Sequence, residues 1–218
     1  MPIKISVAGL AQFMNATSFR QRRLLRDHKF PFTKDGHRKP QIVRYSEARS
    51  TIQKYHSHDN DVTVLLDAVE ALKKKAAENP DKDPSRIEDN IRAIKTYMKH
   101  FQNNQFRVLQ NPRPRYIHGE VHVTTAPDLY VDENGTKKLI KLDFNAKEPK
   151  EEVVNIILKV MHEAATGEEL GVRPADVIYL DVSRQRQFTG KKLNKRLKRD
   201  IDAACETIAD IWPKVKQS

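Results

Sequence analysis

The chain has 218 residues, a single cysteine and a formal net charge of +11 at neutral pH. One cysteine, Cys205, excludes an intramolecular disulfide framework and a zinc site made of cysteines alone. No apolar run approaches the roughly 20 residues that span a bilayer, and MPIKISVAGL is too short and too broken for a signal peptide. The expectation is a soluble, cytoplasmic protein.

The first half reads as helical. Residues 5–13 form a short first helix. Thr17 or Ser18 caps a second, SFRQRRLLRDHKF, which Pro31 ends. A loop with Gly36 and Pro40 as breakers follows. Ser46 caps a helix through Tyr55. Asp61 starts the next, with Val62, Leu65, Leu66, Val69, Leu72 and Ala76 on its apolar face. Asp83 and Pro84 form an N-cap and first helical position. The helix they open repeats Ile87, Ile91, Ile94, Met98 and Phe101 at the helical period.

The character changes near Asn111-Pro112-Arg113-Pro114. Residues 116–125 and 129–145 read as strands. Glu151 and Glu152 open a helix through about Ala165, apolar nearly all round and so buried on several sides. DVIYLDV, 176–182, is a short apolar strand. A last helix runs from about Lys191 to Trp212, with Cys205 as a small core hydrophobe. The fold class is therefore α/β (α+β), a helical N-terminal region at 1–110 followed at 111–218 by a small mixed sheet flanked by helices.

Asn134-Gly135 is a strong hairpin signal. With these two as the loop, Tyr130 faces Leu139, Asp128 faces Lys141, Ala126 faces Asp143 and Thr124 faces Asn145. Side-chain alternation then writes out two faces. One carries Val121, Val123, Leu129, Val131, Ile140, Leu142 and Phe144, a core without charge. The other gathers His118, Glu120, His122, Thr124, Asp128, Lys141, Asp143 and Asn145. Asp128 and Asp143 become diagonal neighbours, a pair that can share Mg²⁺ or Mn²⁺. The competing reading is a cross-strand salt bridge, Asp128 to Lys141, on a solvated face.

Pro127-Asp128, a turn, then LIKLDFNAK at 139–147, a helix and a strand, in this order, resemble the core of the PD-(D/E)XK nuclease superfamily, which includes restriction endonucleases and RecB-like exonucleases. The resemblance covers about residues 116–182. Its second motif is degenerate, because Leu139 stands two residues before Lys141 and Asn145 two residues after Asp143. The resemblance implies a restriction-endonuclease-like core in which Asp128 and Asp143 hold divalent metal. Glu120 would assist, and Lys141 or Lys147 would stand near the phosphate.

The charge is unevenly placed. Residues 1–60 hold 12 Lys and Arg against four Asp and Glu, and residues 184–218 hold ten against four. Such asymmetry suits a polyanion, nucleic acid first among them, or else a basic solubilising surface. Arg20, Arg22, Arg23, Arg26 and Lys29 lie in one basic helix, with Arg38 and Lys39 extending the patch. Lys191, Lys192, Lys195, Arg196, Lys198 and Arg199 open the last helix, where positive charge opposes the macrodipole. Aromatic residues are 7% of the chain, so stacking on unpaired bases is not a strong expectation. His118, Glu120 and His122 at alternate positions also match a transition-metal site or a polar face. No GxSxG, GxxxxGK[ST] or GxGxxG occurs, which excludes the common acyl-transfer elbow and phosphate loops. The functional expectation is a nucleic-acid-associated protein, a metal-dependent nuclease or a non-catalytic binding module, with a protein-interaction or inhibitor protein docking an acidic partner as the alternative class.

Overall fold

The computed structural model describes residues 2–30, 44–78, 83–110 and 112–217. Arg38 and Lys39 lie outside these residues. The chain begins with a strand, β1 (Ile3–Ser6), so the short helix expected at 5–13 starts two residues later, at Val7. Ile3 and Ile5 are buried with Lys4 exposed between them, a period of two that marks a half-buried strand. Ser6 ends it and caps α1 (Val7–Met14), its Oγ accepting from the Gly9 amide at 3.0 Å. Next come α2 (Ser18–Lys29), α3 (Ser46–Ser57), α4 (Thr63–Glu78) and α5 (Pro84–Phe101). Asp83 caps α5 as expected, accepting from the Arg86 amide at 3.2 Å.

The strands that follow are β2 (Arg107–Val108), β3 (Arg115–His118), β4 (Val121–Thr124), β5 (Leu129–Glu133) and β6 (Thr136–Asp143). Helix α6 (Glu151–Gly167), strands β7 (Val177–Asp181) and β8 (Arg186–Thr189), and helix α7 (Lys195–Ile211) complete the order. Among the described residues these make a three-stranded sheet, β1-β4-β3, and a five-stranded sheet, β2-β5-β6-β7-β8. Both sheets are mixed: β1 runs parallel to β4, and β6 runs parallel to β7 through the α6 crossover. The architecture is α/β with a helical N-terminal region.

The hairpin at Asn134-Gly135 has the expected register from Glu133↔Thr136 to Leu129↔Ile140. Positive φ at both loop residues, 53° and 81°, satisfies the tight reversal. The extension toward residue 116 does not hold. Gly119, at φ 54°, turns the chain back on itself, so 116–125 is not one strand but the hairpin β3–β4. Ala126, at φ 40°, and Pro127 then carry the chain out of one sheet and into the other. Thr124 accordingly pairs with Ser6 and Arg115, not with Asn145.

The five-stranded sheet is covered on both faces. Leu129, Val131, Ile140, Leu142, Phe144, Ile178, Leu180 and Val182 form one core with α3, α4 and α5. Of the expected apolar face, Val121 and Val123 belong elsewhere, to the core built by the three-stranded sheet, α1, α6 and α7. That second core takes Tyr130, Leu139, Val177 and Tyr179 from the opposite sheet face. Helix α6 buries Val154, Ile156, Ile157, Leu158, Val160 and Met161 because it packs on α1, β3, β7 and α7 together. Cys205 is fully buried in this core, and burial pushes its thiol up to about 12, consistent with an inert packing residue.

Candidate functional site

The ends of β6 and β7, with the start of β5, bring three aspartates together. Asp143 and Asp181 are partners across the parallel β6–β7 pair. Their side chains share a sheet face, and both are buried, at 6% and 0% exposure. Asp128, 4% exposed, precedes β5, and its amide donates to the Ile140 carbonyl at 2.8 Å. Its carboxylate accepts from the Leu142 amide at 2.7 Å, which sets it one residue short of Asp143 along β6. Tyr179 lies among them. Its hydroxyl is pushed far up, first by burial, then by the Asp143 charge and a hydrogen bond to it, with Asp181 and Asp128 adding to the effect.

Each carboxylate has a distinct set of partners. Asp128 meets Lys141 Nζ at 3.1 Å, the cross-strand pair that the hairpin register predicts. It also meets Arg49 Nε of α3 at 2.6 Å. The Arg49 contact is ionic without hydrogen-bond alignment, since Nε itself has no directed partner. Arg49 stacks its guanidinium 5.5 Å from the Phe144 ring, and Gln53 on the same helix donates to the Asp128 carbonyl at 2.6 Å. Asp181 is paired with Arg184 at 3.2 Å and accepts from the Arg184 amide at 3.1 Å. Asp143 accepts from the Asn145 amide at 3.2 Å and from its side chain. Among the described residues no cation is ion-paired to Asp143.

Three carboxylates thus stand beside three cations, Arg49, Lys141 and Arg184. This balance bears on the metal that the resemblance implies. Both Asp128 oxygens are already engaged, and among the described residues no three His, Cys, Asp or Glu side chains gather in a metal-holding group. The donor set as placed does not fit Mg²⁺ or Mn²⁺, which need freely oriented oxygens. Lys147 is exposed in the loop after β6 and pairs with no residue of the cluster. Glu120 lies in the exposed β3–β4 turn, in the other sheet, because Gly119 reverses the chain there. His118, Glu120 and His122 consequently do not share a strand face. His118 instead bridges Asp202 at 3.3 Å and Glu206 at 3.2 Å on α7.

The basic residues fall into two regions. On α2, Arg20, Arg22 and Arg23 are exposed, and Arg26 is half-buried. Lys29 has a structural task, donating to the carbonyls of Trp212 at 2.7 Å and Val215 at 3.0 Å. Together α2 and the turn Trp212–Lys214 border a hollow of about 640 Å³, lined by Arg22, Arg23, Arg26, Lys214 and Lys216. Of these, Arg22, Arg23, Lys214 and Lys216 have no ion-pair partner among the described residues. Among the described residues Asp27 is the one acid on its wall.

The second region is shorter than expected. Lys191 and Lys192 belong to a separate 3-10 turn, Gly190–Lys192, and α7 begins only at Lys195. Asn194 caps it, accepting from the Leu197 amide at 2.9 Å. Lys195, Arg196 and Arg199 are exposed, whereas Lys198 pairs with Asp202 at 2.8 Å and lies over the Tyr116 ring.

Sequence reasoning missed Arg49, Gln53, Tyr179, Asp181 and Arg184. Asp181 had a readable signal, the acid ending an apolar strand just as Asp143 ends β6. Nothing in the spelling of α3 marks Arg49 as a partner of a residue 79 positions away. Compared with known proteins, the chain matches no family model, and no curated protein sequence is significantly similar to it.

Proposed function

We propose that this chain is a nucleic-acid-binding protein built on a PD-(D/E)XK-like core. The observation that carries the reading is the hollow between α2 and the C-terminal turn, where four cations stand without ion-pair partners among the described residues. Unpaired cations around a concave surface repel one another, and a polyanion relieves that repulsion while releasing its counterions. The β5–β6 hairpin, α6 crossover and parallel β7 support the core assignment, with Asp128 and Asp143 at its strand ends. The aspartate cluster serves mainly to tie α3 to the sheet, because Arg49 and Lys141 neutralise Asp128.

A second reading, a Mg²⁺- or Mn²⁺-dependent nuclease, has one observation in its favour. Asp143 is buried with no ion-paired cation among the described residues. A metal there would require Asp128 to be freed from Arg49 and Lys141. One experiment separates the readings: labelled DNA and RNA are incubated with the protein and either metal, beside Asp143→Asn and Asp128→Asn. Salt-sensitive binding without cleavage is the expected result. Metal-dependent cleavage lost in both variants would establish the nuclease, and no affinity at low salt would overturn both.

A further inference from the structure

Helix α2 carries an anomaly that its charge does not explain. Phe19 is 84% exposed, the most exposed large hydrophobic side chain among the described residues. Leaving such a ring in water forgoes about 2 kcal/mol of burial. The same helix buries Leu25 completely, so apolar surface was available for packing. Phe19, Arg22, Arg23 and Arg26 follow the spacing i, i+3, i+4, i+7 and so occupy one face of the helix. Phe19 also borders two hollows at once. On one side lies the 640 Å³ hollow with Arg22, Lys214 and Lys216. On the other lies a hollow of about 520 Å³ lined by Arg20, Arg23, Leu24 and Asp27.

We infer that this face of α2 binds single-stranded nucleic acid, with an unpaired base stacked on Phe19 and the flanking phosphates on Arg22, Arg23, Lys214 and Lys216. The inference rests on the nucleic-acid reading and specifies its substrate class. A solvent-facing aromatic ring between cationic hollows offers a π-face to a base and charge to the backbone on either side. Duplex offers that ring nothing, because its bases are stacked and paired inside. Phe19 to Arg26 spans about 10 Å along the helix axis, enough for two phosphates of an extended strand. The low overall aromatic content argues against stacking as a general feature of this chain, and the structure isolates one ring where it operates. An acidic peptide would satisfy the arginines and leave Phe19 without a planar partner.

The test measures fluorescence anisotropy of the full chain with a labelled single strand of about 15 nucleotides and with the matching duplex. Phe19→Ala, Phe19→Trp and the pair Arg22→Ala/Arg23→Ala are compared with wild type. Phe19 is exposed, so its substitution leaves the fold intact. Phe19→Ala is expected to weaken single-strand binding about tenfold and to leave duplex binding unchanged. Phe19→Trp restores it, and the arginine pair weakens both ligands. Equal effects of Phe19→Ala on both ligands, or none, would overturn the inference while leaving nucleic-acid binding intact. Polyglutamate binding as tightly as the single strand would overturn it in favour of an acidic protein. Failure of wild type to bind either nucleic acid would sink the underlying reading as well.

Discussion

Replacing Asp128 with Asn distinguishes an aspartate that fastens the fold from one held ready for metal. The amide keeps the shape of the side chain and can still accept from the Leu142 amide, so the change is chiefly one of charge. It leaves Arg49 and Lys141 without their shared carboxylate. Removing one partner of a fully buried pair costs about 3–5 kcal/mol, and exposed pairs are worth about 0–1 kcal/mol. Asp128 is buried, but the Arg49 and Lys141 side chains are 28% and 24% exposed and can turn to water. The expected loss is therefore intermediate, about 2 kcal/mol, which for a chain of this size lowers Tm by about 4–8 °C. Urea unfolding followed by far-UV circular dichroism measures it. A loss under about 0.5 kcal/mol would refute the fastening role. So would stabilisation, the result expected where carboxylates repel one another at a metal site.

Three further outcomes follow from other parts of the structure. Burial holds the His56 imidazole down to about 4 against an ordinary 6.5, with Asn60 at 2.6 Å and Tyr97 at 2.6 Å on its two nitrogens. The unfolded chain binds the extra proton between these values, so His56 contributes stability that is complete above pH 6.5 and lost as pH falls toward 4. Urea midpoints compared at neutral pH and near the lower value should show about 3 kcal/mol of this loss, absent in His56→Gln. Lys29→Met removes the donor to the Trp212 and Val215 carbonyls, and should cost about 1–2 kcal/mol in thermal unfolding and speed hydrogen exchange at the C-terminus. Gly190→Ala would set a Cβ 2.6 Å from the Pro174 carbonyl oxygen, a backbone atom that cannot step aside, and should destabilise by about 1–3 kcal/mol in the same assay.

Periodicity made most of the helices legible. Helices α2, α4 and α5, the all-round apolar α6 and the α7 stripe appear close to where their apolar residues predict them. The β5–β6 register was legible because Asn-Gly sets the loop and any slip would have buried charge. Three features were not. Ile3–Ser6 is too short for periodicity to separate strand from helix, and its partner lies more than 100 residues away at Val121. Gly119 and Ala126 both take positive φ, and reading through them joined two sheets into one hairpin. That error placed Glu120 and His122 beside Asp128. The third is burial of the polar face: alternation marks Lys141, Asp143 and Asp128 as one face, but the parallel β7 sets Tyr179 and Asp181 beside it and the aspartates are buried. A face expected to meet water instead became a buried cluster with Tyr179, Asp181 and Arg184. The α2 cations were legible as charge, but their assembly with Lys214 and Lys216 depends on the long-range seating of the C-terminal turn.

Nucleic acid in the hollow beside α2 would show itself in the salt dependence of single-strand affinity. Four phosphates neutralised by Arg22, Arg23, Lys214 and Lys216 predict a log–log slope of about −3, at ~0.7 per phosphate on a single strand. Charge removal at Arg22 and Arg23 should shallow it by about half. A wild-type slope near zero, or a slope the two substitutions leave unchanged, would rule nucleic acid out of this hollow.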